Sequence, residues 1–206
     1  MAGRKNGMQY LAGIDLGTSG AKISLTSLGG SVTYGVTISY PFFSRFPGWA
    51  EQDPEDWWNA VCVGMHRLLT EHNILASHVR GVGFSGQMHG LVVLDSEKNV
   101  IIPAILHCDT RAGEEKSVVS REELIQWGIL NPAFSGFQMT SLLWLKKHRP
   151  KKFQRIRHVL SPKDYVRYRL TGELGTEWTD ASATLLFDIT PTGIGFKSGE
   201  YATHFS

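Results

Sequence analysis

The sequence predicts an α/β fold, a mixed β-sheet with flanking helices, and three observations carry that expectation. Apolar and polar residues alternate with period two on both sides of a glycine-rich turn near the start. Apolar residues then recur at helical spacing from Asp53 to about His72. Strand-like and helix-like segments follow one another through the rest of the chain, as a sheet covered by helices requires.

Leu11, Ala12, Gly13 and Ile14 form an apolar run, and Ala21, Ile23 and Leu25 alternate with Lys22, Ser24 and Thr26. The segment therefore reads as strand, turn at Gly17 to Gly20, strand. Val32 to Tyr40 alternates loosely as a third strand, completing a β-meander, and Pro41, Pro47 and Gly48 break the chain into a loop carrying aromatic residues. Asp53 and Pro54 start a helix whose Trp57, Val61, Met65, Leu68 and Leu69 face the sheet. Val79 to Ser85 reads as a buried strand, Gly86 to Gly90 as a break, and Leu91 to Asp95 as a strand before the apolar run Ile101 to Leu106. Helices are expected over Arg111 to Val119, Arg121 to Gln126, Thr140 to His148 and Pro162 to Leu170.

With 206 residues, 42% hydrophobic and 19% charged, the chain suits one globular domain with a substantial core. The formal net charge is +2, and the only basic cluster, Lys146 to Arg157, reads as solvated surface, so nucleic acid is not an expected partner. No apolar run reaches the length of a membrane span and no secretory signal opens the chain, which predicts a cytoplasmic protein. Cys62 and Cys108 lack CxxC spacing and are expected to be reduced packing residues.

Asp15 is the first residue with chemistry to explain. Gly17 and Gly20 can take positive φ and bring backbone N–H groups to an anion, with Thr18 and Ser19 offering hydroxyls. A carboxylate beside such a loop repels phosphate unless a divalent cation such as Mg2+ stands between them, which implies a magnesium nucleotide such as ATP. Taken alone, the motif reads rather as an ordinary hairpin in which Asp15 bonds turn amides. Neither GxxxxGK[ST] nor a strand-to-helix GxGxxG occurs. The second constellation, GFSGQMHGLVVLD from Gly83 to Asp95, ends a strand in Gln87, Met88 and His89 between glycines. These supply hydroxyl-matching polar groups and an apolar wall for a polyol, although a lone His is more often structural and a lone Met core filler.

The hairpin resembles that of the actin-like, ribonuclease H-like ATPase fold, and the chain as a whole resembles the FGGY family of carbohydrate kinases. The resemblance rests on GIDLGTSGAK, GWAEQDPEDWW, GFSGQMHGLVVLD and PAILHCDTR, followed in order by LLWLKKHRP, LSPKDYVRYRLTG and TDASATLLFD. It implies transfer of the ATP γ-phosphate to a ketose hydroxyl, D-xylulose foremost, with ribulose, sedoheptulose or another polyol as alternatives. By resemblance Asp15 takes the catalytic metal and phosphate role, Met88 and His89 contact the sugar with Gln87 beside them, and Thr18, Ser19 and Lys22 face the phosphates. Trp49, Glu51, Gln52, Asp109 and Asp180 lie in matched segments as secondary candidates, each with a packing, capping or Arg111-pairing alternative. His107 stands where xylulokinases commonly carry Trp, which bears on sugar preference.

The resemblance also implies a second actin-like domain whose GGGDNAAGA-like segment supplies the catalytic base, and no such segment is present. The expected organisation is a flexible terminus over 1–8, the sugar-binding N-terminal kinase domain over 9–189, and an atypical tail over 190–206 forming no native element. Turnover by this chain alone is not expected, whether it remains a truncated kinase or a non-catalytic sugar-binding remnant. Its expected partners are the sugar, the absent C-terminal domain and, through the face that domain would cover, a second copy forming a homo-oligomer.

Overall fold

The computed structural model describes residues 7–118, 120–126, 132–190 and 193–196, with 187–190 and 193–196 described by backbone alone. The chain divides into two compact units, Met1–Pro41 with Glu55–Gln87, and Phe42–Pro54 with Met88–Ser206.

The first unit opens with the expected meander of β1 (Tyr10–Leu16), β2 (Gly20–Ser27) and β3 (Thr33–Ser39). After β4 (Glu51–Gln52), which belongs to the second unit, and α1 (Pro54–Glu71), β5 (Val79–Gly86) joins the meander sheet parallel to β1. The sheet order is β3-β2-β1-β5. On one face Tyr10, Ala12, Ile14, Leu16, Ala21, Ile23 and Leu25 are buried, and burial of each large member contributes about 1.5–3 kcal/mol relative to exposure. α1 closes on this face at Gly64, where a Cβ would lie only 2.6 Å from Ile23 Cδ1 and 3.2 Å from Ile38 Cγ1. Pro54 takes the first helical position, and α1 ends with Asn73 at φ 51° and an Ile74 N–H donating to Leu69 O at 2.9 Å, a Schellman closure.

β5 departs from the buried strand expected. Among the described residues it pairs with β1 alone, Val82 is 39% exposed, and the rest of the strand is half-buried or exposed. Gly17 and Gly20 also have no positive φ; the glycines serve close approach instead, since a Cβ on Gly20 would meet Ile38 O at 2.8 Å.

In the second unit β6 (Val92–Leu94) pairs antiparallel with β8 (His158–Leu160), and β4 pairs with β7 (Ala104–Ile105). The run 101–106 gives only this two-residue strand, because Pro103 has no N–H for a ladder. α2 (Arg121–Gln126), α3 (Gln138–His148), α4 (Pro150–Phe153), α5 (Pro162–Thr171) and α6 (Trp178–Ala183) provide the helical half. α3 is buried from Gln138 to Leu145, and its apolar residues enter two clusters, Leu91, Val93, Ile101, Ile105, Leu142 and Trp144 in one and Leu124, Met139, Leu143 and Leu185 in the other.

Three further expectations are corrected here. The helix expected from Arg111 is replaced by turns and a 3-10 turn at Glu115–Ser117, in a segment where Gly113, Ser117 and Val118 lower the helix propensity; Val119 lies outside the described residues. The tail over 190–206, expected to form no native element, includes β10 (Gly193–Phe196), which pairs antiparallel with β9 (Phe187–Thr190). Cys62 and Cys108, expected to be packing residues, are both exposed.

Glu177 caps α6, its carboxylate accepting from the N–H groups of Thr179 at 2.7 Å and Asp180 at 2.8 Å. Desolvation pushes its pKa upward, but the Thr179 hydroxyl, both amides and the Lys163 charge outweigh this and bring it to about 2. The unfolded carboxyl binds its proton first as pH falls, so the cap's contribution is present above about pH 4.5 and is lost as pH falls toward 2. Glu177→Ala is expected to cost about 1 kcal/mol at pH 7 and much less near pH 2.5, checked by urea unfolding at both pH values. Equal losses at the two would refute the cap's charge dependence.

Candidate functional site

On the face of the first unit's sheet opposite α1, two adjacent rows of residues cross four strands. One row runs Gly35, Ser24, Gly13, Gly83 and the next runs Thr37, Lys22, Asp15, Ser85. Together they line a trough of about 590 Å3. A Cβ on Gly35 would meet nothing nearer than Ile23 O at 3.7 Å, and one on Gly83 nothing nearer than Ala12 O at 4.0 Å. Glycine there leaves the floor low without any steric need from the described residues.

Asp15 and Lys22 are cross-strand partners and both are exposed, so the strand alternation that buries Ile14 and Ile23 delivers one carboxylate and one ammonium to the trough. Beyond Asp15 the chain turns at Gly17, whose N–H donates to Gly20 O at 3.1 Å, and Thr18 and Ser19 occupy the turn. The Tyr40 hydroxyl donates to Gly17 O and braces the turn from β3's end. Burial, and then the Asp15 charge, hold the Tyr40 phenol well above its ordinary range, so it stays a donor. Gln87 ends this unit, buried, with its N–H donating to Leu16 O at 2.7 Å.

The structure therefore brings Asp15 and Lys22 into one trough beside the Thr18 and Ser19 turn. Sequence reasoning missed Thr37, Ser85 and Tyr40. Ser85 was within reach, because it shares the alternation phase of Gly83; Thr37 and Tyr40 depend on a register that only the paired strands show.

In the second unit Met88 is 56% exposed, and His89 follows with φ 63°, a left-handed backbone that only glycine adopts without strain. His89 Nδ1 lies 3.3 Å from Ala183 O, and its ring stacks on Phe137 with centroids 4.2 Å apart. Burial lowers its pKa, against opposing contributions from the Ala183 carbonyl and Asp180, so the ring is neutral near pH 7. Gly90 must be glycine, since a Cβ would stand 2.6 Å from Pro162 Cγ, and its carbonyl accepts from Gln138 Nε2 at 2.9 Å. His107 is exposed.

The secondary candidates are engaged in packing and polar contacts. Arg111, with its side chain 2% exposed, forks onto Asp109, reaches Glu51 at 3.0 Å and lies 3.7 Å over the Trp49 ring. Gln52 is fully buried, and Asp180 pairs with Lys163 at 2.9 Å inside α6's first turn. Among the described residues no three His, Cys, Asp or Glu side chains converge as a metal-ligand set. A magnesium ion keeps most of its shell as water and phosphate oxygens, so the single exposed Asp15 fits that chemistry as one ligand. No helix among the described residues is long and apolar enough to cross a membrane.

A model of the N-terminal domain of the FGGY family of carbohydrate kinases matches residues 10–193. The chain belongs to that family. It is 39% identical over 187 residues to a xylulose kinase of Bacillus subtilis, covering 89% of this chain and 37% of that protein. It is 42% identical over 181 residues to a xylulose kinase of Klebsiella pneumoniae, covering 86% and 36%. A crystal structure of a "xyloylose kinase" from Brucella ovis superposes with a TM-score of 0.83 at 35% identity, covering 86% of this chain and 38% of that one. The fold is thus the actin-like ATPase fold of FGGY sugar kinases, and the chain spans a little over a third of the length of the curated relatives it matches.

Proposed function

We propose that this chain is the sugar-binding portion of a cytoplasmic carbohydrate kinase that moves the ATP γ-phosphate to a ketose hydroxyl, D-xylulose foremost. The observation that carries the reading is Asp15 standing exposed beside Lys22 in a glycine-floored trough at the Gly17 to Ser19 turn. In this reading Asp15 is one ligand of Mg2+, which when bound neutralises phosphate charge, while Lys22 and the Thr18 and Ser19 hydroxyls hold phosphate oxygens. His89 and Met88 contact the sugar, with Gln87 holding the strand end to β1. Proton acceptance from the sugar hydroxyl falls to a second domain, since a carboxylate committed to a cation is a poor base. Taken alone, the 206 residues then bind sugar without phosphorylating it.

The test is ADP release measured with ATP, magnesium and D-xylulose, beside D-xylulose binding followed by NMR titration. Expected are binding that His89→Ala abolishes and no xylulose-dependent ADP. Release that Asp15→Ala abolishes would overturn the assignment of the base to another domain. Because His107 replaces the Trp common in xylulokinases, D-ribulose and sedoheptulose are titrated in parallel, and tighter binding of either would move the substrate assignment.

A further inference from the structure

The turn that faces His89 carries a second strained residue. Leu185 has φ 63°, like His89 itself, yet its side chain is fully buried against Leu124, Met139 and Leu143. Gly or Asn would hold such a backbone with less strain, so leucine earns its place there through the side chain, as an anchor in the core. The neighbouring residues are tied as well. Met139 N–H donates to Thr184 O at 3.2 Å, Thr184 Oγ1 donates to Ala181 O at 2.7 Å and accepts from Leu186 N–H at 3.0 Å. Phe137, two residues before Met139, supplies the ring on which His89 stacks. The first turn of α3 thus grips both the plane of the His89 ring and the turn whose Ala183 carbonyl meets it.

We propose that Leu185 is a positioning residue: by pinning the 183–185 turn it aims the Ala183 carbonyl at His89 Nδ1 and fixes the tautomer that leaves Nε2 as a bare acceptor. A carbonyl can only accept, so at 3.3 Å the proton is on Nδ1, and in a neutral imidazole Nε2 then carries the lone pair. The titratable side chains acting on the ring are Asp180, itself held by Lys163 at 2.9 Å, and His107. An acceptor at Nε2 selects a sugar hydroxyl as donor, which rests on the reading of His89 as a sugar-contacting residue.

The test is performed on the 206-residue chain by long-range 1H–15N imidazole correlation of His89, with D-xylulose titrated beside it. Wild type and the volume-conserving Leu185→Met should show one Nδ1–H tautomer. Leu185→Gly, which relieves the φ strain but removes the anchor, should show both tautomers and bind D-xylulose about tenfold more weakly. A single Nδ1–H tautomer in Leu185→Gly would overturn the proposal. Should Leu185→Gly not fold, Leu185→Ala decides instead, since it keeps a methyl in the core but trims the anchor, and a single Nδ1–H tautomer there overturns the proposal equally. If His89→Ala leaves xylulose binding intact, the sugar reading fails by itself, while the tautomer measurement still settles what Leu185 does.

Discussion

Asp109→Ala is expected to lower stability by about 3–5 kcal/mol, the range for breaking one side of a buried charge pair. The Asp109 side chain has no exposure, and it accepts from Ala50 N–H at 2.6 Å, Arg111 N–H at 2.8 Å, Arg111 Nε at 2.9 Å and Arg111 Nη2 at 2.7 Å. Its removal strands the Ala50 amide and leaves the guanidinium, which lies against the Trp49 and Trp144 rings, with Glu51 as its remaining carboxylate among the described residues. Glu51→Gln should cost less, because the Asp109 fork survives it. Urea unfolding with unchanged m-value is the measurement; a loss below about 1 kcal/mol for Asp109→Ala would mean that water or a repacked Glu51 replaces the fork.

What could be read in the sequence follows from where each signal resides. β1, β2 and β3 are legible because period-two alternation and short connections are local, and α1 because Trp57, Val61 and Leu68 recur at helical spacing. β4, β7 and β8 are two or three residues long, and their existence is decided by partners far along the chain. The segment after Arg111 has a helical pattern of apolar residues, but Gly113, Ser117 and Val118 within it weaken the helix, and it forms turns instead. The candidate site divides in the same way. Asp15 and Lys22 announce themselves through a local motif, and Gln87, Met88 and His89 through a glycine-bounded strand end. The left-handed backbone of His89 and its contact with Ala183, 94 residues away, leave no trace in local composition.

Gly136→Ala is expected to cost about 3 kcal/mol and to weaken sugar binding at the same time. A Cβ on Gly136 would lie 1.9 Å from His107 O, 2.5 Å from its carbonyl carbon and 3.0 Å from its Cα, so no flexible side chain is available to move aside. Either the 107 backbone or the start of α3 must shift. The second route displaces Phe137, the ring under His89, and carries the stability loss into the site. Gly35→Ala is the matching control, because its Cβ meets only an ordinary contact at 3.7 Å; replacing a strand glycine there should be neutral or stabilising by up to about 1 kcal/mol. Thermal and urea unfolding, with D-xylulose titration of each variant, separate the effects. Gly136→Ala with wild-type stability and wild-type binding would show that the 107 backbone yields at no cost, whereas retained stability with lost binding would place the shift at Phe137.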